Sequence, residues 1–152
     1  MSDLREYGWN STWQEAFDLE AGPGLVPGRV VRQVRGRCSV VTPDSGVVNA
    51  TPTGRMSHHA SGPQDMPVVG DWVVVAPQDG RITAILPRRN AFTRKPPGNA
   101  TEAQVIAANI DKAFLVSGLD NDYNPRRIER YLTAAWDSGT APIIVLNKCD
   151  LC

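Results

Sequence analysis

At 152 residues the chain has room for one ordinary domain or two small ones. Its apolar and charged fractions, 41% and 21%, exclude a collagen-like, wholly disordered or membrane-embedded protein. The formal net charge of zero hides a partition: Arg5 faces Asp3, Glu6, Glu15, Asp18 and Glu20 before residue 25, whereas ten bases oppose four acids from Leu25 to Lys95. A middle segment of that sign suits an anionic partner.

The amino terminus, Met1-Ser2-Asp3-Leu4-Arg5-Glu6, puts acids where a signal peptide carries positive charge, and no apolar stretch follows. The run Pro142–Leu146 falls far short of the roughly 20 residues that span a bilayer. The expectation is a cytoplasmic protein with reduced thiols at Cys38, Cys149 and Cys152. Without a secretory route the sequons at Asn10, Asn49 and Asn99 carry no meaning.

Residues 11–20 predict a helix, with Thr12 as cap, Glu15 three places on, and Trp13 and Phe17 sharing a face. Residues 1–24 thus form a helical extension, closed by Gly22-Pro23-Gly24. The apolar period then changes to two, and strands are expected over 29–37, 38–41, 46–48, 71–75 and 80–86. Turns at Pro43–Gly46 and Gln78–Gly80 join neighbours. Over 25–95 this predicts a small antiparallel barrel of OB-fold type, although an SH3-like barrel fits the pattern nearly as well. Ser57–Pro67 reads as a polar loop whose His58 and His59 lack a Cys/His partner set and are expected to be solvated. Asp71 is assigned a turn or strand-entry role, and Trp9 and Trp13 a place in the core.

Residues 96–110, with Pro96-Pro97-Gly98, read as a linker. Beyond it, 111–152 read as a β-α-β unit with parallel strands: Lys112–Ser117, a helix over Pro125–Ser138 capped by Asn124, and Ala141–Leu146. Ile128, Tyr131, Leu132 and Ala135 fall on one helix face. Two strands and one helix cannot enclose a core, so the expected fold class is mixed: a barrel followed by an incomplete α/β unit. The natural protein is expected to continue beyond Cys152.

Asn147-Lys148-Cys149-Asp150 follows the second strand, at the carboxyl end where open α/β sheets bind ligands. Asp150 would accept hydrogen bonds from the N1 and N2 hydrogens of guanine, a pair that adenine does not offer. Asn147 can bond the carbonyl edge, and Lys148 can lay its methylene stem along the base. Bonds to a charged group contribute about 1.5 to 3 kcal/mol each, enough for two of them to exclude adenine nucleotides. A dinucleotide-binding fold would need a glycine-rich fingerprint after a strand, which the sequence lacks.

The runs Ala107–Lys112, Arg127–Leu132 and Pro142–Leu151 resemble those of the circularly permuted GTPases of small-ribosomal-subunit biogenesis, the RsgA or YjeQ family. So do Gly8-Trp9-Asn10, Pro27–Val30, Val69–Val73 and Ile85–Asn90 upstream. The resemblance covers nearly the whole chain. It implies an OB-fold ahead of the start of an α/β P-loop-type GTPase domain in which the base-reading motif precedes the phosphate-binding motifs. It further implies GTP and Mg2+ as ligands of the complete protein, a Zn2+ module toward its carboxyl end, GTP hydrolysis triggering release from the small (30S) ribosomal subunit, and a monomer. No G-x-x-x-x-G-K-[S/T] loop and no catalytic residue is found in this sequence. Cys149-x-x-Cys152 is not a zinc site, since it lacks two ligands and Cys149 fills the variable place of the guanine motif.

OB-folds bind nucleic acid on one face and its adjoining loops. Arg29, Arg32, Arg35, Arg37, Arg88, Arg89 and Arg94 are therefore candidate rRNA contacts, with Trp72 and Phe92 available to stack on bases. A solvated basic face is the competing reading, because strand alternation sends some of these arginines to different sides. The rival functional class is a non-enzymatic RNA-binding OB module with a structural β-α-β tail.

Overall fold

The structure is a computed structural model that describes residues 3–34, 36–94, 104–121 and 123–151. A short 3-10 turn at Leu4–Tyr7 leads into helix α1 (Ser11–Glu20). The cap is Asn10, not Thr12: its side chain accepts the Trp13 N–H at 3.2 Å, which satisfies a donor that the first helical turn cannot. Trp13 and Phe17 are buried on one face, as their spacing requires.

Strands β1 (Val26–Val34), β2 (Arg37–Thr42), β3 (Gly46–Pro52), β4 (Trp72–Ala76) and β5 (Arg81–Ile85) close a barrel in the order β1-β2-β3-β5-β4. All neighbours are antiparallel except β3 and β5, which run parallel. That order, with helix α2 (Gly54–His59) between β3 and β4, decides for the OB topology over an SH3-like barrel. The strand expected over 29–37 is in fact two: the chain reverses between Val34 and Arg37, which pair across the hairpin, and Gly36 takes φ +78°. The segment read as a polar loop, Ser57–Pro67, begins with the last three residues of α2, a helix capped by the Thr53 side chain, and contains a 3-10 turn at Pro63–Asp65. His58 and His59 lie exposed in the last turn of α2.

Strand β4 explains the barrel's energetics. Val73 and Val75 point into an interior built with Val30, Cys38, Val40, Ala50 and Ile82, one or more from every strand. The alternate residues Trp72 and Val74 pack outward against Leu4, Trp13, Phe17, Val41 and Leu86. A strand covered on both faces reads as a continuous apolar run, which Trp72-Val73-Val74-Val75 is.

Asp71, fully buried at the entrance to β4, forms a two-point ion pair with Arg88: Nε to Oδ1 and Nη2 to Oδ2, both 2.8 Å. Its Oδ2 also accepts the Val68 N–H at 2.8 Å. Arg88 completes its fork by donating to the carbonyls of Gln64 (2.6 Å) and Met66 (2.9 Å), tying the crossover before β4 to the barrel.

Beyond the barrel, β6 (Ala91–Arg94) pairs antiparallel with β7 (Gln104–Ala108). Residues 104–108, expected as linker, are thus strand, because the apolar Val105–Ala108 run finds a partner in Ala91–Arg94; residues 95–103 lie outside the described set. The β7 end is fastened to the barrel. Ala108 N–H donates to Val69 O at 2.9 Å. Asn109, buried at φ +54°, donates to Gly70 O at 3.0 Å and accepts the Arg89 N–H at 2.8 Å. Gly70, at φ +90°, has no alternative residue: a β-carbon there would stand 2.0 Å from the Ala108 oxygen. Asn90 makes a second clamp, its amide bonding both Ile110 O (2.7 Å) and Ile110 N–H (2.8 Å).

Strand β8 (Lys112–Gly118), helix α3 (Pro125–Asp137) and strand β9 (Ala141–Asn147) form the expected unit, with β8 and β9 parallel. Asn124 caps α3 by accepting the Arg127 N–H at 3.1 Å, with Pro125 in the first turn. Ile128 and Ala135 are its buried residues. On β8, Phe114 and Val116 stay 66% and 64% exposed, since one helix covers one face of a two-stranded sheet.

Asp71→Ala should lower stability by about 3 to 5 kcal/mol, because it strands a half-buried guanidinium. Urea denaturation followed by circular dichroism measures this. Asn109→Ala should cost about 1 to 3 kcal/mol by orphaning Gly70 O and Arg89 N–H, and hydrogen exchange at the Arg89 amide should accelerate.

Candidate guanine site and basic barrel face

The candidate site sits where β8 and β9 end side by side. Their register pairs Gly118 with Asn147, so the chain leaves both strands at one level, the carboxyl edge of the parallel pair. Leu119 N–H donates to Asn147 O at 2.8 Å, which extends the ladder one step into the loop after β8. Lys148 then takes φ +59°, a left-handed conformation that non-glycine residues adopt at some cost, and its N–H donates to Asn147 Oδ1 at 2.9 Å. That turn swings the chain into a 3-10 turn at Cys149–Leu151, closed by Leu151 N–H on Lys148 O at 3.1 Å.

Asn147, Lys148 and Asp150 are all exposed. They stand within four residues of one another on the rim of the sheet and form an open wall rather than an enclosed cavity. The Lys148 ammonium pairs with Asp120, from the loop after β8. Sequence reasoning did not single out Asp120; the signal available was an acid two residues beyond the end of an apolar strand, and no spacing rule links it to Lys148.

The barrel arginines divide by burial. Arg29 donates from Nη1 to Tyr7 O and from Nη2 to Asn109 O, both at 3.0 Å, and its guanidinium lies 4.7 Å from the centre of the Trp72 ring. Burial pulls its pKa below the ordinary arginine value, against the pull of Asp111. Arg88 goes the other way: its hydrogen bond to Asp71 holds the pKa above the ordinary value, and burial opposes that only in part. Both groups are committed to the fold. Arg89 pairs with Asp111 at the surface.

Arg32 and Arg37 are exposed and line one groove on the β1–β2 face with Val34, Cys38, Ser39 and Asn49. Arg35 and the Arg94 side chain lie outside the described residues. Trp72, expected to stack on bases, is fully buried; Trp9 (ring centres 4.8 Å apart) and Trp13 (6.0 Å) pack against it, so it is a core residue. Phe92 is half-buried in β6. Among the described residues no group of three His, Cys, Asp or Glu side chains converges as a metal site.

Comparison with known proteins places this arrangement. The family described as RsgA GTPase matches residues 85–152, from the last residue of β5 through the Asn147–Asp150 segment. The small ribosomal subunit biogenesis GTPase RsgA of Syntrophotalea carbinolica is 44% identical over 99% of this chain and 43% of its own length. Its counterparts in Opitutus terrae and Streptomyces coelicolor are 42% and 43% identical over 97% and 99% of this chain, and over 43% and 40% of their own lengths. The chain therefore spans about two fifths of these relatives. Among solved structures, YjeQ from Thermotoga maritima superimposes with a TM-score of 0.60 at 22% identity, over 84% of this chain and 43% of that one. YloQ, described as a circularly permuted GTPase, gives 0.57 at 22% over 84% and 42%. These two support the fold, a barrel followed by the first elements of an α/β unit. With the family model matching residues 85–152 and RsgA relatives 42 to 44% identical along nearly its whole length, the chain is similar to the RsgA GTPases from its barrel through its β-α-β unit.

Proposed function

We propose that this chain carries the rRNA-binding barrel and the guanine-reading motif of a GTP-binding and GTP-hydrolysing factor that acts in late maturation of the small ribosomal subunit. The observation that carries the reading is the position of Asn147, Lys148 and Asp150 at the carboxyl edge of two parallel strands, exposed and oriented by a left-handed turn. There Asp150 accepts the two N–H groups of guanine, Asn147 bonds its carbonyl edge, and the Lys148 stem flanks the ring. GTP is the substrate and GDP the product. Hydrolysis itself needs groups that wrap and polarise phosphates, and no residue of this chain is assigned to that step. Magnesium and zinc accompany the complete protein in this reading; the described residues offer no ligand set for either, and no step is routed through them.

The barrel supplies the second half of the reading. Arg32 and Arg37 supply exposed positive charge flanking the β1–β2 turn, one of the connections that OB-folds turn to nucleic acid. Arg35, between them in the sequence, and Arg94 extend the candidate set. The protein is proposed to work as a cytoplasmic monomer on the small subunit; no helix among the described residues is long and apolar enough to cross a membrane.

Asp150→Ala should weaken guanine-nucleotide binding by at least about a hundredfold, the loss of two charge-assisted bonds, and leave weak ATP binding unchanged. Titration of the full-length gene product with fluorescent GTP and ATP measures it; equal affinity for both nucleotides, indifferent to Asp150, would sink the assignment. Charge reversal of Arg32 and Arg37 together should weaken cosedimentation with small subunits and flatten its salt dependence by about two in logarithmic slope. Unchanged binding would remove the β1–β2 face from the interface.

A further inference from the structure

We propose that Asp120 is a positioning residue for guanine recognition, holding the Lys148 ammonium so that the lysine stem is presented to the base and Asp150 stays open to accept from it. This rests on the guanine-site reading above.

The geometry has three parts. Asp120 and Lys148 follow the ends of adjacent parallel strands, in loops that the Gly118–Asn147 register and the Leu119 N–H bond to Asn147 O hold side by side. The Asp120 carboxylate turns back over the end of β8 and reaches Lys148 Nζ. Gly118 makes room for it, since a β-carbon there would lie 2.9 Å from Asp120 Oδ1. The Asp120 carbonyl accepts the Tyr123 N–H at 2.9 Å, which fixes the loop from its far side.

The consequence concerns a long, flexible side chain. The left-handed backbone of Lys148 fixes its α-carbon, and Asp120 fixes its ammonium, so the four methylenes between are tethered at both ends. An untethered ammonium two residues from Asp150 would be drawn to that carboxylate and would occupy the acceptor that guanine needs. Asp120 gives the ammonium another carboxylate. Among the described residues Asp150 makes no ion pair.

The Lys148 and Asp120 side chains are 52% and 24% exposed, so the pair is partly screened and the expected effect is modest. Asp120→Asn should weaken binding of methylanthraniloyl-GDP to the full-length gene product by about three- to fivefold, with the loss shrinking as salt rises. Asp120→Glu should recover part of it. In a Lys148→Met background, Asp120→Asn should cost nothing further, which a merely structural role for the loop would not produce. Unchanged affinity in Asp120→Asn overturns the proposal, and so does an equal loss with and without Lys148. If the unmodified protein fails to prefer methylanthraniloyl-GDP over methylanthraniloyl-ADP, the guanine-site reading itself falls, a result separate from any effect of Asp120.

Discussion

The clamp at Asn109 is the constraint on which the arrangement of this molecule depends. One buried amide joins the carbonyl of Gly70, at the mouth of the barrel, to the backbone of Arg89, at its exit. The carbonyl of the same residue takes a hydrogen bond from Arg29 of β1. Two residues later Asp111 leads into β8, so the direction of the β8–β9 sheet is set at the barrel wall. Arg29 extends the clamp to the amino terminus by reaching Tyr7 O while lying over Trp72. A charge-assisted hydrogen bond contributes about 1.5 to 3 kcal/mol and a cation over an indole about 0.5 to 2, so this one guanidinium is a considerable share of a domain's net stability.

The same residues show why a count of positive charge overstates what a partner can reach. Arg29, Arg88 and Arg89 were counted with Arg32 and Arg37 in the basic segment, yet the first two spend their donors on carbonyls and a buried carboxylate, and the third pairs with Asp111. Of the candidate arginines whose side chains are described, Arg32 and Arg37 remain exposed to an anion, both at the β1–β2 hairpin. Specialisation of that kind follows from the guanidinium itself, whose planar fork satisfies several acceptors at once in a half-buried setting and is equally suited to phosphate at the surface.

Sequence periodicity reached the architecture well where local rules suffice. Helix α3, its Asn124 cap and its flanking strands were legible because a proline-marked start, a helical apolar stripe and two short apolar runs each point to one conformation. Asn147, Lys148 and Asp150 could be named as candidates because they fall within four consecutive residues of the chain. What escaped depended on distant contacts. The Asn10 cap was hidden by an equally good candidate two residues on, and β7 by its separation from β6 across a proline- and glycine-containing stretch. Trp72 looked available to a base because nothing in its neighbourhood announces that α1, more than fifty residues earlier, folds over it. The Asp120 pair with Lys148 spans 28 residues and had no local signature at all.

The burial of Trp72 also gives the molecule an unusual optical anatomy. Trp9, Trp13 and Trp72 lie within a single cluster, the first and last with ring planes at 67° and centres 4.8 Å apart, while Trp136 stands 64% exposed on α3. Indoles that close and that steeply inclined couple their electronic transitions, whereas a solvated indole emits as an isolated chromophore. The exciton signal therefore belongs to the seam between α1 and the barrel, and the red-shifted emission to the β-α-β unit. Light alone can thus report on the two halves of the chain separately.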